Sequence, residues 1–408
     1  MAIKMRKPSA VVALCSLANF VNAIDRVLMP IAIVPMTDEY QWDLSTQGWI
    51  LSAFAFGYLP SQIIGATAAS RYGGKRVLAF AVSLWSISTL ITPFIASSST
   101  ALITARVILG LGEGLGLPTI FHVFGYRVSP EERARAFAYL VAAGSIGQTI
   151  ASAICPHMSW PVPFILFGTI GLLWTIMWLG LYDDRRSLND DSSEAPPLLP
   201  FSAKAVPWRE LLSHWALWAI YIAHFAMNWS NYIIMQWLPT YLTRYLGGQT
   251  SSLSLTAVPY IANSLCGIGF GHLADDLSNR EAWSVRSVRR VMTAIGLIGP
   301  GIFLLAFCAV NNLALAVLFV TISMGLCAGN SAGHLSNHAD VAPNHSGYSF
   351  AISNTMATIP GILCGPLTAA LVTSSDGRWF PVFVLAACIN FTAAVIYCGN
   401  SKGTAVVT

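Results

Sequence analysis

Twelve stretches of about twenty predominantly apolar residues, centred near residues 22, 58, 87, 114, 147, 171, 228, 262, 300, 325, 359 and 389, run through the 408 residues with short polar gaps between most of them. A stretch of that length matches the roughly 30 Å hydrocarbon core of a bilayer when wound as a helix. In lipid only helices and closed barrels satisfy their own backbone, and these runs lack the two-residue alternation of barrel strands. Hydrophobic residues make up 55% of the chain and charged residues 10%, against roughly 25% charged in soluble proteins. The expected fold is an all-α polytopic membrane protein, with twelve transmembrane helices in two six-helix bundles.

The basic residues support that count. Eighteen of the 22 Lys and Arg, among them Arg71, Lys75, Arg76, Arg133, Arg289 and Arg290, fall in the termini or in even-to-odd loops. Only Arg244 and Arg378 fall in loops of the other side. The bias places both termini on the cytoplasmic side. Residues 182 to 212, with DDRRSLNDDSSEAPPLLP, are charged, Pro-rich and without apolar period, so they read as a cytoplasmic linker. The linker separates a bundle over 1–181 from one over 213–408. The basic start followed by an apolar run resembles a secretory signal, but it is too long and carries Asp25 and Arg26, so it reads as the first helix. The compartment stays open between plasma membrane, endomembrane and plastid envelope.

Composition excludes several functions. The net charge of +4 is the cytoplasmic excess of basic residues, and nothing points to nucleic acid. The eight cysteines lie in apolar spans without paired spacing, so they are expected as small packing residues, neither disulfides nor metal ligands. No cofactor or metal site is expected.

The remaining two arginines, Arg26 and Arg106, lie inside spans. A charge at membrane depth costs at least a few kcal/mol, so intramembrane ionisable residues mark function. In the fourth span, RVILGLGEGLGLP, Arg106 and Glu113 are seven apart and fall on nearly one helical face, about 10 Å apart along the axis. Gly110, Gly112, Gly114 and Gly116 keep that helix slim for close packing. In the first span Asn19, Asn22 and Arg26 make one polar stripe, with Asp25 about 100° away. Tyr58 and Gln62, one turn apart, line the same face of the second span. Trp174 and Trp178 read as ordinary membrane-helix aromatics. The second half supplies Asn228, Asn231, Asn263 and Asn354, and a stripe of Asn330, His334 and Asn337. No acid or base is expected deep in that half. The chain thus reads as a carrier of a small anion, with a receptor on a carrier scaffold or an intramembrane enzyme using Glu113 or His334 as the alternatives.

The segments NAIDRVLMPIAI, FGYLPSQI, RYGGKRV, RVILGLGEGLGLP, SPEERARA, QWLPTYL and SNHADVAP together resemble the anion:cation symporters of the major facilitator superfamily, over Asn22 to Asn354. The helix 1 DR pair and YGGKRVLAF are most similar to the plant-type phosphate and organic-anion branch. Leu28 and Pro30 depart from the family pattern, and Ser70 replaces an acid in the loop after helix 2. The resemblance implies a monomeric secondary transporter of a small anion, inorganic phosphate or an organic carboxylate. In that reading Arg26 and Arg106 bind the anion, with Asn22, Tyr58, Gln62, Asn228, Asn330 and Asn354 around it. Asp25 and Glu113 take part in coupling to sodium or protons. An arginine keeps its charge and presents a planar fork to carboxylate or phosphate, and a carboxylate that loses its water holds a proton more readily.

Overall fold

A computed structural model describes residues 8–182, 207–280 and 282–407. Most of the expected linker, residues 183–206, lies outside the described residues. The helices are α1 (Pro8–Tyr40), α2 (Leu44–Tyr72), α3 (Gly74–Ile95), α4 (Ser99–Arg127), α5 (Pro130–Ile154), α6 (Pro161–Leu181), the short α7 (Trp208–Ser213), α8 (Trp215–Thr240), α9 (Ala257–Ser278), α10 (Val285–Cys308), α11 (Leu313–Cys327), the short α12 (Ser336–Val341), α13 (Ser346–Ser374) and α14 (Phe380–Asn400). A π-helical turn over Ser331–Leu335 carries the chain from α11 towards α12. Counting α11 to α12 as one span and leaving out α7, the helices correspond to the twelve apolar runs. Among the described residues, 10 segments are long and apolar enough to cross a membrane.

Two compact units emerge. Among the described residues, the first holds 8–29, 53–151 and 158–182, and the second holds 30–52, 152–157, 207–280 and 282–407. Long helices such as α1 and α2 therefore contribute one stretch to each unit.

Glycines set the spacing in the first unit. A Cβ on Gly57 of α2 would come within 2.0 Å of the Val107 carbonyl oxygen, and one on Gly110 of α4 within 2.0 Å of the Phe54 carbonyl oxygen. The two backbones therefore touch, as the small-residue pattern of α4 led us to expect. Gly112 faces the other way, against the Ala81 carbonyl of α3. Trp174 and Trp178 do more than fill a membrane helix. Both are buried and stacked at 5.3 Å, and their indole N–H groups donate to the carbonyls of Leu14 in α1 and Lys75 in α3. They fasten α6 to two neighbours through backbone carbonyls that accept a second hydrogen bond.

The second unit is tied by amides. Gln236 of α8 donates to the Gly361 carbonyl of α13 at 3.1 Å, and Asn390 of α14 donates to Ser230 Oγ at 2.9 Å. Arg289 of α10 pairs with Asp340 of α12 at 2.7 Å and donates to the Ala332 carbonyl. Removing such interhelical bonds in a membrane protein costs about 0.6 kcal/mol each on average.

Candidate functional site

The charged residues of the first unit converge. Arg26 reaches from α1 to α4, where its Nε donates to Glu113 Oε2 at 3.0 Å. The Glu113 side chain is fully buried, whereas that of Arg26 is 22% exposed. The α2–α4 glycine contact brings the α2 aromatics beneath the same guanidinium. The Arg26 Cζ lies 4.8 Å from the Tyr58 ring centre and 5.3 Å from that of Phe54. Arg106 is buried, with its Cζ 5.9 Å from the same Phe54 ring and no hydrogen-bond partner at Nε. Asp25 is buried next to Thr89, and neither of its carboxylate oxygens is hydrogen-bonded. Asn22 is buried beside Glu113, and Gln62 is half-buried one turn beyond Tyr58.

These residues do not form one stripe with one role. Asn19, on the same face as Asn22 and Arg26, is spent on packing: its amide donates to the Leu140 carbonyl of α5 at 2.8 Å, where Gly144 leaves room for it. Phe54 was not singled out in the sequence, yet it lies under both arginines. Its spacing of four before Tyr58 was the available signal.

The cluster can hold an anion for a simple reason of charge. With both acids ionised the two arginines are balanced and the net charge is zero. Each acid neutralised by a proton, or screened by a bound cation, leaves one guanidinium charge uncompensated. The rings packed against the guanidiniums shield one face of each from water, which strengthens their attraction for carboxylate or phosphate.

In the second unit Asn228 and Asn354 are half-buried, one on α8 and the other on α13. Asn330 is fully buried, and its amide donates to the carbonyls of Gly296 at 2.7 Å and Cys327 at 3.0 Å. Asn337 likewise donates to the Tyr397 hydroxyl at 2.8 Å. The expectation that no acid or base lies deep in this half is overturned by three buried imidazoles, His224, His334 and His338. His334 and His338, four residues apart, share a face as the first-half stripe does, but the sequence alone did not bring His224 to them.

A cavity of about 480 Å³ in the second unit lies elsewhere, lined among others by Asp38, Asp43, Arg244, Tyr245 and Trp379. Arg244 is paired there with Asp38 and donates to the Val34 carbonyl. Hydrogen bonds from the Thr46 side chain and backbone hold the Asp43 carboxyl below its ordinary value.

Residues 15–288 match the family model of the Major Facilitator Superfamily. The chain belongs to that superfamily. It is 38% identical over 382 residues to sialin of Ovis aries, covering 90% of this chain and 77% of that protein. It is 33% identical over 415 residues to the sodium-dependent phosphate transport protein 1, chloroplastic, of Arabidopsis thaliana, with 97% and 80% covered. The ascorbate transporter, chloroplastic, of the same plant is 32% identical over 400 residues, with 95% and 73% covered. Among solved structures, a bacterial homologue of the human lysosomal transporter Spinster superposes with a TM-score of 0.79 at 16% identity, covering 98% of each chain. A D-xylose–proton symporter superposes with 0.74 at 14% identity, covering 96% of this chain and 98% of that one. The fold is thus that of the major facilitators, and the sequence relatives are anion transporters of membranes.

Proposed function

We propose that this protein is a secondary active transporter that moves a small anion, inorganic phosphate or an organic carboxylate, by alternating access coupled to a proton or sodium gradient. The supporting observation is the Arg26–Glu113 pair at 3.0 Å with Arg106 and Asp25 buried in the same unit. Glu113 and an anionic substrate compete for one guanidinium. When Glu113 takes a proton, or a cation neutralises Asp25, Arg26 and Arg106 acquire a net positive charge that a monoanion can balance. The loaded cluster is then nearly neutral and crosses its dry intermediate at lower cost than a charged one. Arg26 and Arg106 are the anion contacts, with Tyr58, Gln62 and Asn22 beside them. Asp25 and Glu113 are the coupling acids.

The relatives' names include phosphate and ascorbate, and both serve as probes. The purified protein in proteoliposomes is given labelled phosphate or ascorbate with an imposed pH or sodium gradient. Uphill accumulation of one unchanged anion, lost when the gradient is collapsed, is the expected result. Saturable binding without uptake would assign a receptor instead, and a chemically altered probe an enzyme. In this reading both termini are cytoplasmic, which the segregation of basic residues supports and terminal-tag accessibility in sealed cells tests.

A further inference from the structure

The anion cluster makes no use of the three imidazoles gathered in the second unit. His224 lies on α8, His334 on the π turn and His338 on α12, and all three are at most 4% exposed. The rings of His224 and His334 are 5.8 Å apart. Two of the three are held by serines of α13: His224 Nδ1 is 2.7 Å from Ser353 Oγ, and His338 Nδ1 is 2.8 Å from Ser349 Oγ. His334 differs. It is wholly buried, and neither ring nitrogen has a hydrogen-bond partner. His338 Nε2 is likewise unmet.

A neutral imidazole carries one donor and one acceptor, and a buried group with both unmet demands an explanation. The backbone supplies part of it. The π turn Ser331–Leu335 contains Gly333 at φ −90°, ψ −116°, a break within an otherwise helical span. Single π turns and non-helical breaks gather at functional positions, because they are points where a helix can change its bend. A Cβ on Gly333 would come within 2.3 Å of Thr293 Oγ1, so the break is seated against α10 and a turn about it re-aims His334 directly.

Other titratable and charged groups facing the trio are few. Tyr221 of α8 lies 3.4 Å from Ser349 Oγ, and Tyr397 of α14 accepts from Asn337. Arg289 of α10 and Asp340 of α12 neutralise each other at 2.7 Å. From α13 come the two serines and the Phe350 ring. On α9, Phe270, Ala274 and Leu277 pack towards Ala332, while His272, Asp275 and Asp276 are exposed. Imidazole is the only group of this set with an unperturbed titration in the neutral range.

We infer that His224, His334 and His338 form a single proton-binding site in the second unit, loaded when the helix bends at Gly333. The proton comes from water and rests on an imidazole nitrogen of His334 or His338, and repulsion among three rings this close limits the site to one. In consequence the second half has its own proton step, distinct from Glu113 and Asp25, which makes turnover depend on pH. Only that consequence rests on the transport reading above.

The test uses the full chain, labelled with ¹⁵N-histidine, in lipid nanodiscs. Imidazole nitrogen shifts are followed from pH 5 to 8 and assigned with H224Q, H334Q and H338Q. The expected result is one titration step shared by His334 and His338, absent in H334Q. Should one variant fail to fold, the other two assign the wild-type spectra by difference. Rings of His334 and His338 that keep one neutral tautomer across the range would overturn the site. In proteoliposomes, counterflow of labelled phosphate or ascorbate should vary with pH at the same midpoint in the wild type and be flat in H334Q. An unchanged pH profile in folded H334Q would overturn the coupling consequence. Absence of counterflow of either anion in the wild type would count against the transport reading, and the nitrogen shifts would still decide the proton site.

Discussion

Replacing Glu113 with glutamine removes one negative charge and keeps the side chain's shape and its acceptor for Arg26. Two unit charges about 4 Å apart attract by about 4 kcal/mol at an effective dielectric of 20. The carboxylate is buried but the Arg26 side chain is 22% exposed, so water screens part of that attraction. Roughly half, about 2 kcal/mol, is then the handicap an incoming anion must overcome to engage Arg26, or about thirtyfold in affinity. E113Q should therefore bind phosphate or ascorbate roughly thirtyfold more tightly, measured by isothermal titration on the purified carrier. It should also lose accumulation driven by a cation gradient while retaining counterflow, because exchange requires only the loaded carrier to reorient. Three results refute the reasoning: unchanged affinity, intact uphill transport, or loss of counterflow and gradient-driven uptake together in a folded variant. The last is the signature of a structural pair, whose disruption typically costs about 3–5 kcal/mol.

R26K and R106K should each lose most transport and at least tenfold in anion affinity although the charge remains, because an ammonium cannot present two parallel N–H groups while resting on the Phe54 ring; near-normal uptake by both would reduce the arginines to general electrostatics. G110A should destabilise the fold by about 1–3 kcal/mol or more, read as a lowered thermal unfolding midpoint in detergent, since its methyl meets the Phe54 carbonyl. Asp43 Oδ1 accepts from the Thr46 amide at 2.8 Å at the start of α2, so D43A should cost about 1 kcal/mol and D43N clearly less. Its carboxyl sits below the ordinary value of about 3.9, so that stabilisation is complete above this pH and fades as acid drives the pH down through the lowered folded value; an acid midpoint identical in D43N and wild type would contradict it.

The helices and the charged residues inside them were legible because a bilayer leaves a chain few options. Each apolar run must be a helix, and each intramembrane charge must find a partner. Arg26 and Glu113 were singled out on those grounds, but the sequence set Glu113 with Arg106 along one helix, and only packing puts Arg26 3.0 Å from it. What remained hidden depends on which helix faces which. Asn19 and Asn22 share a face three residues apart, yet Asn19 is bonded to α5 and Asn22 lies by Glu113. Nothing in the first span distinguishes them. Trp174 and Trp178 carry no sequence mark of the carbonyls they bond. His224 lies more than a hundred residues before His334 and His338 in the chain, and only helix packing joins it to them. The break at Gly333 was equally silent, since isolated glycines in membrane spans are common.

The mutual fit of Gly57 and Gly110 limits how the surroundings of the charged cluster can change at all. Each glycine faces a backbone carbonyl of the other helix, and a carbonyl cannot be shortened by substitution. A larger residue at one position therefore has no compensating smaller residue at the other, and no second-site suppressor is available within the pair. In a saturation library both positions should tolerate glycine alone, singly and in combination. Variation around the charged cluster is then confined to side chains beside the joint, such as Phe54 and Tyr58. The joint itself stays frozen, and the seating of Phe54 and Tyr58 against α4 is inherited with it.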